Sequence, residues 1–158
     1  MVFKVGLGFD SHRLVAGRPL IIGGINIPAS AGCLAHSDGD VLVHALMDAL
    51  LGAAGLGDIG QKFPETDPAY KNISSLELLQ TVMVEIKASG LVVLNADSIV
   101  ILEKPRLASF IPQMKDRLSP LLALNPSSLG IKAKTAEGLG EVGAGRAVEA
   151  WATVLLAG

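Results

Sequence analysis

The only histidines of the chain, His12, His36 and His44, fall in its first third, with Asp10, Asp38, Asp40 and Asp48 among them. Asp10 and His12 are two residues apart at the end of a β-rich segment, so their side chains would leave one face of a strand. His44 stands one turn after Asp40 and one turn before Asp48, in a stretch (Val41, Leu42, Val43, Ala45, Leu46, Met47, Ala49, Leu50) that is otherwise apolar nearly all round. A helix of that kind has a reason to keep a single Asp-His-Asp stripe polar. Two imidazoles and one carboxylate suit a catalytic zinc, because they leave a fourth tetrahedral position open. Asp40 or Asp48 would then hold the second ring nitrogen of His44. Spacing alone also admits a plainer reading: Asp10 and His12 as ordinary strand-end residues, and His44 as a hydrogen-bonded core histidine. His36-Ser37-Asp38-Gly39 lies at the start of the same helix, where free backbone N–H groups and the dipole favour a phosphate. A cap with no ligand is the alternative there.

The elements that must position these residues follow from periodicity and punctuation. Residues 2–9 alternate as a strand, and Ile21-Ile22-Gly23-Gly24-Ile25-Asn26-Ile27 reads as a hairpin turning at Gly-Gly. A helix is expected over 38–55, with Ser37 as N-cap and Asp40 three residues on in a variant capping box. Residues 57–73 carry Gly, Asp and Pro without periodicity, as lids and binding loops do. Then come a helix over 74–89 closed by Gly90, a strand over 91–103 ended by Lys104-Pro105, and a helix over 107–124. Strands over 130–135 and 146–156 flank the glycine-rich loop 138–145. The expected fold is α+β: one catalytic domain over 1–158, a two-layer sandwich with a mixed four-stranded sheet and helices on one face.

At 158 residues, 50% hydrophobic and 18% charged, the chain can bury a sizeable core as one domain. A net charge of -2 with mixed signs and no basic block argues against nucleic acid as a partner. Cys33 is the single cysteine, which excludes an internal disulfide and fits a reducing compartment. The opening Met1-Val2-Phe3-Lys4-Val5-Gly6 resembles neither a secretory nor a transit signal. The longest apolar runs are interrupted by His44 and Asp48, and by Glu149, short of the ~20 clean residues a membrane span needs. The expectation is a cytoplasmic protein with no membrane partner. Mean hydropathy of +0.50 is high for so small a globule and points to an apolar subunit interface.

Read together, Gly8 to Arg13 (GFDSHR), the run from Leu34 to Gly60 (LAHSDGDVLVHALMDALLGAAGLGDIG), Phe63 to Asp67 (FPETD), Pro112-Gln113-Met114 and Lys134 to Glu137 (KTAE) resemble the 2-C-methyl-D-erythritol 2,4-cyclodiphosphate synthases. The resemblance covers nearly the whole chain. It implies a homotrimer with a site at each subunit interface, acting on a cytidine-diphosphate substrate. It implies that Asp10, His12 and His44 hold Zn2+ or another divalent cation. His36 and Ser37 match residues that hold the substrate phosphates, and His36 and Thr135 match catalytic positions. Asp58, with Ile59 and Gly60, matches the group that binds the erythritol hydroxyls. Phe63, Pro64, Glu65, Thr66 and Asp67 match a mobile loop over the sugar. Leu102, Pro105, Arg106, Leu107 and Ala108 match a cytosine pocket supplied by the neighbouring subunit. Lys134, Thr135, Ala136 and Glu137 match the loop along the diphosphate, with Glu137 on a second metal, Mg2+ or Mn2+.

The implied reaction joins the substrate's 2-phosphate to its β-phosphate and expels CMP. A phosphate nucleophile is already ionised, so charge neutralisation and in-line positioning matter more than a strong base. The absence of any nucleophile–base pair agrees with that. Two other readings use the same residues: a zinc phosphohydrolase, which has no need of the 102–108 turn, and a module with structural zinc, for which one cysteine is too few. Glu141 and Ala144 depart from the commonest form of the motif, which has an aromatic and an arginine lining an axial cavity for isoprenoid diphosphates. Weak binding there is expected unless Arg146 substitutes.

Overall fold

The computed structural model describes all residues from Met1 to Gly158. The first strand, β1 (Phe3–Ala16), runs well past the expected end at Phe9. Asp10 and His12 interrupt its apolar pattern, but the backbone stays extended because β7 (Ala147–Ala157) pairs with it as far as Arg13. The hairpin forms as expected, with β2 (Leu20–Ile22) and β3 (Ile25–Ile27) making a separate two-stranded sheet. The main sheet has five strands, not four. The additional one is β4 (Ala31–Leu34), a short edge strand antiparallel to the end of β1. With β5 (Val92–Ile101) and β6 (Leu129–Lys134) the order is β4-β1-β7-β5-β6, and only β5–β6 is parallel, so the sheet is mixed as expected.

Helix α1 (Val41–Ala54) begins later than Ser37. Gly39 sits at φ 74°, outside helical space, so the helix cannot start before it. Asp40 is the N-cap, accepting from Val43 N. The same carboxylate accepts from Gly23 N (2.9 Å) and Gly24 N (2.7 Å), tying the hairpin turn to the helix start. The 57–73 segment is less irregular than expected, with a single-turn helix α2 (Ile59–Lys62) and a 3-10 turn at Pro68–Tyr70, capped by Asp58 and Asp67. Helix α3 (Ser75–Ala88) starts from the N-cap Ser74. The helix expected over 107–124 is shorter: a 3-10 turn at Ala108–Phe110, then α4 (Ile111–Leu121) with Pro112 in its first turn, where a missing N–H costs nothing. The glycine-rich loop contains a one-turn helix, α5 (Gly140–Gly143).

Helix α1 lies directly on the inner face of β1. A Cβ on Gly6 would stand 1.9 Å from the Ala49 carbonyl oxygen, and one on Gly8 1.9 Å from that of Ala45. Only glycine lets the two backbones come so close. The core is built from α1, α3 and α4 with the inward residues Val148, Ala150, Ala152, Val154 and Leu156 of β7. The outward face is apolar yet uncovered: Val5 is 73% exposed, Leu7 64%, and Phe9 packs on Trp151 with tilted rings, centroids 4.4 Å apart.

Candidate metal and phosphate site

The close approach of α1 to β1 sets the chemistry at its end. Asp10 and His12 continue the inward register of Gly6 and Gly8, and His44 precedes Ala45, the residue that sits over Gly8. The three side chains therefore converge. Asp10 Oδ2 lies 2.8 Å from His12 Nε2 and 3.0 Å from His44 Nδ1, and those two nitrogens are 3.2 Å apart. Bonds of ~2.0 Å at tetrahedral angles would space the ligands about 3.3 Å apart. The triangle is thus close to one face of a zinc tetrahedron, and the donor set fits a divalent cation. Burial pushes the Asp10 carboxyl up, but hydrogen bonds from His12 and His44 outweigh it and hold the group at about 2. Burial disfavours the His44 cation, yet Asp10 raises its pKa above 6.5.

The expectation that Asp40 or Asp48 holds the second nitrogen of His44 is wrong. Asp40 is occupied by Gly23, Gly24 and Val43, and Asp48 accepts from Ile59 N at 2.9 Å, anchoring the Asp58-Ile59-Gly60 turn. His44 Nε2 instead meets Ser75 Oγ (2.8 Å) and Ser37 Oγ (3.2 Å). Ser75 carried no signal in the sequence, because it reaches the site only through the docking of α3.

The surrounding cavity, about 120 Å3, is lined by Asp10, His12, His36, Ser37, His44, Ile59, Gly60, Phe63 and Glu65 among the expected residues. Ala35, Met47, Tyr70 and Leu78 join them. The segment over the cavity is laced to residues 36–38 before α1: His36 Nε2 donates to the Asp67 carbonyl (3.1 Å), Asn72 N to His36 O and Asp38 N to Ile73 O. Asp58 accepts from Gln61 N, while Pro64 and Thr66 stay exposed outside the lining.

Four of the remaining expected residues meet in a second, larger cavity of about 670 Å3, which shares no lining residue with the first. Pro105, Arg106, Thr135 and Glu137 line it, with Glu103 and Lys104 of the same 102–108 turn and with Ser30, which the sequence had not marked. Thr135 Oγ1 donates to Glu137 Oε1 at 2.7 Å, and Glu103 accepts from Ala136 N at 3.1 Å, joining the two loops. Leu102 and Leu107 are buried in the core beneath; Ala108 and Lys134 are exposed beside the cavity. Cys33 is buried and free, its thiol pushed up to about 12 by burial and then by the charge of Asp40, so it is an inert core residue. Arg146 is paired with Glu141 of α5 through two 2.7 Å bonds at the surface.

The YgbB family profile matches residues 3–157. The chain belongs to the YgbB family. A relative from Pelotomaculum thermopropionicum, named 2-C-methyl-D-erythritol 2,4-cyclodiphosphate synthase, is 50% identical over 153 residues, 97% of this chain and 94% of that protein. The structure of a synthase of that name in its CDP-bound form is 45% identical and matches with a TM-score of 0.90, over 98% of this chain and 100% of the other. A bifunctional enzyme from Campylobacter jejuni matches with a TM-score of 0.94 at 39% identity, over 98% of this chain but 42% of its own length. In this family setting the fold is that of a single synthase unit, and no helix is long and apolar enough to cross a membrane.

Proposed function

We propose that this chain cyclises 4-diphosphocytidyl-2-C-methyl-D-erythritol 2-phosphate to 2-C-methyl-D-erythritol 2,4-cyclodiphosphate with release of CMP, as a homotrimer whose sites each use two copies. The observation that carries the shared site is the separation of its parts. The donor triangle lies in one cavity and the Arg106–Thr135–Glu137 group in another, while an apolar sheet face stands open. A trimer would cover that face and bring the metal cavity of one copy against the second cavity of the next. The likeness to a CDP-bound synthase supports a cytidine diphosphate as the ligand.

In the reaction an oxygen of the 2-phosphate bonds to the β-phosphorus, and the bond from that phosphorus to the CMP oxygen breaks. Zn2+ at Asp10, His12 and His44 and Mg2+ or Mn2+ at Glu137 would supply positive charge to the crowded phosphate oxygens. His36 and Ser37 hold phosphate oxygens beside the donor triangle, and Thr135 and Lys134 hold them from the other subunit. Asp58, Ile59 and Gly60 bind the erythritol hydroxyls, with Phe63, Pro64, Glu65, Thr66 and Asp67 excluding water above. Pro105, Arg106 and Ala108 contact the cytosine, with Leu102 and Leu107 as the apolar floor. All of this serves positioning, which an intramolecular transfer between two anions needs most. The lone buried cysteine suits a reducing cytoplasm.

The test is to incubate the purified chain with substrate and both cations and follow phosphorus resonances. CMP together with the cyclic diphosphate is expected. CMP with a linear bisphosphate would mean that water is the nucleophile and would replace this reading with a hydrolase.

A further inference from the structure

Behind the donor triangle, Ser75 is fully buried at the first position of α3, and no role in the reaction has been given to it. Its hydroxyl lies 2.8 Å from His44 Nε2 and is also hydrogen-bonded to Asp38 Oδ1. Asp38 Oδ2 accepts the Ser75 backbone N–H at 2.9 Å, so the carboxylate grips this residue twice. An ionised carboxylate can only accept, and a serine has one hydroxyl proton. That proton goes to Asp38, which leaves the serine oxygen facing His44 as an acceptor. His44 Nε2 must therefore carry the hydrogen. Ser37 Oγ, at 3.2 Å from the same nitrogen, already accepts from Gly39 N and can accept again. In the metal-free protein Nδ1 donates to Asp10 Oδ2; once a cation displaces that proton, the lone pair of the neutral ring falls on Nδ1, the nitrogen 3.0 Å from Asp10 Oδ2 and 3.2 Å from His12 Nε2.

We propose that Ser75, oriented by Asp38, is a positioning residue that locks His44 in the tautomer whose Nδ1 faces the divalent cation. This role rests on the reading of Asp10, His12 and His44 as ligands. A metal-ligating histidine commonly donates its other N–H to a carboxylate or carbonyl. Here the carboxylate acts one hydroxyl away, so its charge polarises the ring without a second anion touching it. The arrangement also ties α3 to the site. Docking of α3 completes the hydrogen bond that orients the ligand.

The decisive readout is the protonation of the His44 ring in the zinc-loaded protein, seen in long-range proton–nitrogen correlation spectra. Hydrogen on Nε2 with Nδ1 on the metal is expected; the opposite assignment overturns the proposal, whatever the variants do. Ser75→Ala should weaken zinc binding ~10- to 100-fold in competition with a chelator, with stoichiometry unchanged at saturation. Affinity within twofold of the wild type would also overturn it. Asp38→Asn frees the serine proton to turn toward His44, so it should weaken binding in the same direction. The double variant should lose no more than Ser75→Ala alone, because Asp38 acts through Ser75. Losses that add would contradict the relay. A purely structural role would lower the melting temperature and leave chelator competition unmoved. A wild-type protein that takes up no stoichiometric zinc contradicts the ligand assignment instead, and takes the role of Ser75 with it.

Discussion

Asp10, His12 and His44 are held from three directions within one chain: by β1 beneath them, by α1 pressed onto Gly6 and Gly8, and by α3 through Ser75. Arg106, Thr135 and Glu137 stand on a turn and a strand end around a cavity more than five times larger, and Arg106 and Glu137 are exposed. The first group is preorganised by backbone packing. The second has its loops joined by hydrogen bonds, with its charged groups turned to the surface. In the trimer proposed above, one half of the site is finished by folding and the other would be finished by assembly.

That contrast can be broken most severely at the metal. His44→Ala should abolish stoichiometric zinc and reduce cyclisation more than ~100-fold, beyond what loss of an outer partner costs; elemental analysis and the CMP assay measure the two. Gly8→Ala attacks the packing. Its Cβ would lie 1.9 Å from Ala45 O, so α1 must lift off β1, at a cost of about 1–3 kcal/mol or more and with weakened metal binding. Gly52→Ala in the same helix, where nothing lies within 4 Å, should leave metal binding intact and gain about 0.5–1 kcal/mol in denaturant titration.

Acid tests the same half more gently. In the metal-free protein Asp10 sits at about 2 against the ordinary 3.8. A depressed carboxyl stabilises the fold above its unfolded pKa, so this contribution is present above about pH 4 and fades as pH falls through about 2, a swing of about 2 kcal/mol. Melting curves between pH 5 and pH 2 should show it, and Asp10→Asn should flatten that part of the profile. The smallest effect belongs to the exposed Glu141–Arg146 pair. Arg146→Ala should leave the melting temperature and the cyclisation rate where they are, since exposed ion pairs contribute little.

What the sequence disclosed follows the same division. The Asp-His-Asp stripe on an apolar helix marked His44, and D-x-H at a strand end marked Asp10 and His12, because these signals are local. The edge strand β4 was hidden: Ala31-Gly32-Cys33-Leu34 is short, contains glycine and is extended only because β1 continues beside it. The start of α1 was misplaced because Ser37 looks like a cap until Gly39 turns the backbone out of helical space. Ser75 was invisible, since its partner His44 lies 31 residues away and meets it only when α3 docks. Periodicity gave no hint of the second cavity; Pro105, Arg106, Thr135 and Glu137, which line it, were singled out only by the resemblance to the synthases.

The most direct test of a site divided between copies is to mix two variants, each disabled in one half. His12→Ala removes a metal ligand; Arg106→Ala with Glu137→Ala removes two exposed groups of the second cavity, so neither should disturb the core. Each protein alone should be inactive. After co-refolding, random trimers would pair an intact metal half with an intact second half at about a quarter of their interfaces, and should recover about a quarter of wild-type activity. A mixture no more active than the two variants measured apart would place both halves of the site within one chain and contradict the shared site.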